Sequence, residues 1–72
     1  MNTDFIKPTF QTRPYKASQS VFIKDRWQSF LYIKHGAKLL DLFVDHLDNL
    51  VMVFDKKETQ ELYKKWRNRE LS

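Results

Sequence analysis

The chain's single glycine, Gly36, constrains it more than any other residue. It follows Lys34 and His35 and closes a stretch whose apolar residues recur at helical spacing. Basic groups beside the carbonyl end of a helix dipole, then a residue free to enter the left-handed region, make a helix stop. With one glycine in 72 residues, a glycine-rich phosphate loop is also excluded. There is no cysteine, which rules out a disulfide framework and thiolate metal sites. The fold must then rest on ordinary apolar packing, and 42% of the residues are hydrophobic and 15% aromatic. Each buried aromatic removes roughly 150–250 Å² from water. In so short a chain that gain barely exceeds the ordering entropy, so a homodimer burying a second apolar surface is a live possibility.

The elements follow from periodicity. Residues 1–14, with Pro8 and Pro14, read as an extended N-terminal arm, and residues 15–72 as a single α+β domain. Tyr15-Lys16-Ala17 is the expected first strand. A helix is predicted over residues 21–35, capped by Ser18 or Ser20, with Ile23, Trp27, Phe30, Leu31 and Ile33 on its buried stripe. Residues 38–45 alternate: Leu40, Leu42 and Val44 share one face, and Leu39, Asp41, Phe43 and Asp45 the other. His46-Leu47-Asp48-Asn49 supplies turn chemistry, and the β-branched run Leu50-Val51-Met52-Val53-Phe54 completes a hairpin. Asp55 with Glu58 is a capping box, opening a helix through Leu62, Tyr63 and Trp66 to about Leu71. The order is β-α-β-β-α, with a three-stranded antiparallel sheet and both helices on one face.

The residue types speak against catalysis. Asp41 and Asp45 stand roughly 13 Å apart at ~3.3 Å per strand residue, too far for a carboxylate pair or a shared metal. His35 and His46 are too few and too far apart for a histidine-built metal site. His46 with Asp45 and Asp48 reads as solvated turn, and His35 as a partner of the helix dipole. A chain that needs its whole core has little room for a small-molecule pocket. No cofactor, metal or small-molecule substrate is expected, and the chain is not expected to be an enzyme. No apolar run is long enough for a membrane span. Met1-Asn2-Thr3-Asp4 does not begin a secretory signal, so a cytoplasmic location is expected.

Three surfaces suit binding. The apolar outer face of the sheet carries Leu39, Phe43, Val51 and Val53, and it calls for a cover: the arm, a second copy of the chain or another protein. The C-terminal helix carries Lys56, Lys57, Lys64, Lys65, Arg67 and Arg69, within a formal net charge of +4. Such a helix can follow a phosphate backbone, although Glu58, Glu61 and Glu70 are interspersed. The third surface sets Lys24, Arg26, Tyr32 and Lys34 near Lys7, Arg13 and Lys16, a mixture able to stack on single strands.

Tyr15-Lys16-Ala17-Ser18, Phe30-Leu31-Tyr32 leading to His35-Gly36, Leu39-Leu40-Asp41, and Val51-Met52-Val53-Phe54-Asp55 carry a resemblance. Over about residues 15–69 the chain resembles small β-α-β-β-α domains of unknown function from phages and mobile elements of Gram-positive bacteria. The resemblance implies a fold and a genomic setting and assigns no functional residue. The expectation is a non-catalytic interaction or regulatory domain, self-associating through the sheet face. The alternative is a small nucleic-acid-binding protein using its basic C-terminal helix.

Overall fold

A computed structural model describes residues 14–72, together with the backbone of residues 5–6. Strand β1 (Phe5–Ile6) pairs antiparallel with β2 (Tyr15–Lys16) in a separate two-stranded ribbon. One turn of 3-10 helix (Ala17–Gln19) leads into β3 (Ser20–Ile23), followed by α1 (Arg26–Lys34), β4 (Leu39–Val44), β5 (Leu50–Asp55) and α2 (Lys56–Arg67). In the three-stranded sheet β5 is central, and β3 and β4 each run antiparallel to it. The two outer strands are therefore parallel to each other, and α1 is the crossover that joins them. The rest of the arm expected over residues 1–14 lies outside the described residues, apart from Pro14, which is exposed.

The α+β class, the antiparallel three-stranded sheet and the two helices on one face are as the periodicity predicts. The first strand of that sheet is not. Tyr15–Lys16 pairs with the ribbon, and the sheet's own first strand is Ser20–Ile23, inside the stretch predicted as helix. Val21, Phe22 and Ile23 are β-branched or aromatic, and they find Phe54, Val53 and Met52 opposite them on β5. The helix starts at Arg26, and its cap is neither Ser18 nor Ser20: the Asp25 carboxylate accepts from the Gln28 amide at 2.9 Å. The Ser20 hydroxyl instead donates to the Lys16 carbonyl.

Moving Ile23 into a strand also changes which side of α1 is buried. Its inward positions are Gln28, Ser29, Leu31 and Tyr32. Trp27 and Phe30, expected in the core, stack on each other at 5.2 Å between ring centroids and are 61% and 51% exposed; Ile33 is exposed as well. The helix ends as predicted. Gly36 has φ +91°, its amide donates to the Ile33 carbonyl, and the Ala37 amide reaches back to Tyr32 at 2.9 Å.

The core forms where both helices meet the Phe54 face of the sheet. Leu31, Tyr32, Ala37, Phe54 and Leu71 are buried there, with Val21, Ile23, Leu39, Met52, Leu62 and Trp66 packed against them. Tyr32 meets Phe54 edge to face at 5.3 Å, a favourable arrangement of ring quadrupoles. A register shift in β4 between Leu39 and Asp41 corrects the expected alternation. The bulge at Leu40 puts Leu39, opposite Phe54, on the helix side with Leu42 and Val44, while Asp41 and Phe43 point the other way. The Asp55 carboxylate caps α2 through the Glu58 amide at 3.0 Å, as the capping box predicts. The Glu58 carboxylate does not reach back; it accepts from the Lys38 amide.

Candidate binding groove

Strand β3 is an edge, because among the described strands it pairs with β5 alone. Every second residue of an edge strand turns its amide and carbonyl away from the sheet. Ser20 pairs with Asp55, the residue that caps α2, so the first turn of α2 stands beside the start of β3. The helix then returns over the sheet in the direction in which β3 runs. Between them lies an open groove of about 720 Å³. Val21, Phe22 and Ile23 form the strand wall, and Tyr32 contributes from α1. The helix wall is Lys56, Gln60 and Tyr63, spaced to share one face of α2, with Lys57 and Thr59 beside them.

Four of the lining residues have partners of their own. The Thr59 hydroxyl donates to the Asp55 carbonyl at 2.8 Å, and Thr59 is buried. The Tyr32 hydroxyl accepts from Gln28 Nε2 at 2.9 Å, and burial raises its pKa, so it stays neutral. Tyr63 is 48% exposed, and the Arg67 guanidinium lies 5.9 Å from its ring centroid, within cation–π range. Lys56 Nζ donates to the Ser18 carbonyl at 3.3 Å. The groove thus has an apolar, aromatic length and a cationic end at Lys56 and Lys57. Among the described residues no three His, Asp or Glu side chains gather as a metal centre would require, and no helix is long and apolar enough to cross a membrane.

Three of the four residues expected at a sheet-face interface share that face, and one does not. Leu39 is on the helix side. Val51 and Val53 do share the second face with Phe43, yet they are 2% and 0% exposed within the single chain. On that face Phe22 and Phe43 meet edge to face at 6.3 Å, and the buried Tyr15 bonds to Asp41. The six cations of α2 and its end are all exposed, and three of them have contacts of their own. Lys64 pairs with Glu61 at 3.3 Å, Arg67 lies over Tyr63, and Lys56 faces the groove. In the third expected surface Tyr32 is buried, and Lys24 is paired with Asp45 at 3.3 Å. Lys7 and Arg13 lie outside the described residues.

The groove residues Val21, Ile23, Gln60 and Tyr63 were not singled out by sequence reasoning. A signal existed: Asp25 followed by Gln28 is a capping pattern that ends the preceding run at Lys24 and leaves Val21-Phe22-Ile23 as a short strand. Compared with protein-family models, with curated proteins and with solved structures, the chain matches none. The reading of the site therefore rests on its own residues.

Proposed function

We propose that this chain is a non-catalytic binding domain whose β3–α2 groove takes an extended polypeptide segment as an added strand. The observation that carries the reading is a sheet edge that pairs on one side alone among the described residues, with an apolar groove along it. Main-chain hydrogen bonds to the edge would supply affinity, and the groove would hold alternate side chains of the segment. A groove of about 720 Å³ also suits a small molecule by size. The exposed strand edge favours a polypeptide, since it offers a row of backbone donors and acceptors rather than a few convergent ones. A regulatory role belongs to the same proposal, in the phage or mobile-element setting that the resemblance implies, and the genes flanking this one would test that setting.

Self-association through the sheet face has less to recommend it, because Val51 and Val53 have almost no surface left to bury. Nucleic-acid binding by α2 is weakened by the partners that Lys64 and Arg67 already hold. The test is capture of a pool of random acetylated hexapeptides by the immobilised full chain, with Gln60→Trp as the control that fills the groove. Capture by the natural chain and not by Gln60→Trp is expected. Equal capture by both would end the proposal. Salt-sensitive binding to random DNA that is lost on reversing Lys64, Lys65 and Arg67 would favour the nucleic-acid reading instead.

A further inference from the structure

We infer that the groove, apolar along its length, selects a carboxylate at its cationic end, so that its ligand is the free C-terminus of a peptide laid antiparallel to β3. This rests on the groove reading above and adds the ligand's direction and terminal chemistry.

The two walls match in length. From Lys56 to Tyr63 the helix rises about 10 Å at ~1.5 Å per residue. From Ser20 to Ile23 the strand covers about 10 Å at ~3.3 Å per residue. That accommodates three to four residues of an extended chain, by the same ~3.3 Å rise. Because Ser20 is opposite Asp55, Lys56 and Lys57 lie at the Ser20 end, and Tyr63 is two helical turns further along. A strand added antiparallel to β3 starts beside Ile23 and finishes beside Lys56 and Lys57. A strand added parallel to β3 would bring an N-terminal ammonium to the same two lysines. Charge therefore selects the antiparallel arrangement, which is also the pairing of every other neighbour in this sheet.

Asp55 and Glu58 keep their negative charge at this end, so selection of a carboxylate rests on direct contact with the Lys56 and Lys57 ammonium groups rather than on net charge. The Asp55 carboxylate is engaged by the Glu58 amide, and the Glu58 carboxylate by the Lys38 amide. Lys56 holds the Ser18 carbonyl, whereas Lys57 is exposed, with no ion-pair partner among the described residues. The α-carboxylate of a bound chain is the group that two ammonium groups at the end of a strand groove would take. Upstream of it, Val21, Ile23 and Tyr63 favour apolar side chains on the ligand.

The experiment uses two pools of random acetylated hexapeptides, one with free C-terminal carboxylates and one amidated, captured on the full chain and identified by mass spectrometry. The free-acid pool should be retained at least about tenfold better, equivalent to ~1.4 kcal/mol. Lys57→Glu should erase that preference, and Gln60→Trp should abolish capture of both pools. A circular-dichroism melt like that of the natural chain would show that each variant folds. Amidated peptides retained only when they carry Asp or Glu near the end, and lost in Lys57→Glu, would place the selected carboxylate on a side chain and overturn the C-terminal assignment. Equal retention of the two pools, still lost in Gln60→Trp, overturns the carboxylate inference and leaves the groove standing. Retention of neither pool above the Gln60→Trp background overturns both.

Discussion

The Tyr15 hydroxyl donates a 2.7 Å hydrogen bond to Asp41 Oδ2, joining the segment that enters the domain to the middle of β4. Both residues are buried, at 7% and 2% exposure, and Asp41 Oδ1 also accepts from the Leu42 amide. A hydrogen bond to a charged group contributes about 1.5–3 kcal/mol, so Tyr15→Phe should lower the unfolding free energy by that order in urea titration. Burial, then the Asp41 hydrogen bond and charge, hold the Tyr15 hydroxyl well above its ordinary pKa. A pKa raised in the folded state gives stability that is complete below the unfolded value of ~10 and is lost as pH rises above it. The natural chain should therefore weaken above about pH 10, and Tyr15→Phe should remove part of that slope.

The two helices end in the same hydrogen-bond pattern on different residues. At α1 the left-handed position is Gly36; at α2 it is Arg69, with φ 58°, whose amide donates to Trp66 while that of Glu70 reaches Lys65. A Cβ on Gly36 would meet nothing within 4 Å, so Gly36→Ala is penalised by backbone conformation alone, by about 1–2 kcal/mol. Arg69→Gly should act in the opposite sense. The gain is smaller, about 0.5–1 kcal/mol, because glycine also loosens the unfolded chain. Thermal melts of the two variants should move in opposite directions.

Ser29 is fully buried on the inner side of α1, and its hydroxyl has no hydrogen-bond partner among the described residues. An unmet buried hydroxyl costs free energy, and alanine is the better helix former. Ser29→Ala should raise stability by about 1 kcal/mol, read as a higher urea midpoint at unchanged slope.

The hairpin turn is organised by one carboxylate. Asp45 Oδ1 accepts from the amides of Leu47 and Asn49, and Oδ2 lies 3.3 Å from Lys24 Nζ. The Asn49 amide, followed by that of Leu47 and by Lys24, holds the Asp45 carboxyl below the usual carboxylate range. A lowered pKa gives stability that is present above the unfolded value and lost as pH falls through the folded one. An NMR titration should find the Asp45 midpoint below that of an aspartate in an unstructured peptide, and Asp45→Asn should flatten the acid limb of the stability curve.

Side-chain size does not rank the aromatics by importance. Phe54 is fully buried and Trp27 is 61% exposed. Phe54→Ala should cost about 3–5 kcal/mol, and Trp27→Ala less than about 1 kcal/mol. A Trp27 replacement as destabilising as that of Phe54 would mean that α1 is rotated from the orientation described.

The features written within a few residues were legible in the sequence. Gly36 ends α1, Asp55 caps α2, and residues 39–54 form a hairpin, because each depends on a short-range backbone preference or a local hydrogen bond. Which face each element buries was not legible. Val21-Phe22-Ile23 fits a helical period and a strand equally well, and β5 as a neighbour decides for the strand. With Ile23 taken into β3, α1 turns Leu31 and Tyr32 inward and leaves Trp27 and Phe30 outside. The bulge at Leu40 flips Leu39 to the helix side, which removes it from the face where strict alternation had put it. The groove exists only because β3 lies beside α2, 36 residues apart from Ser20 to Lys56. Local chemistry sets where elements begin and end; which residues become core, edge or groove is decided by what the folded chain packs against them.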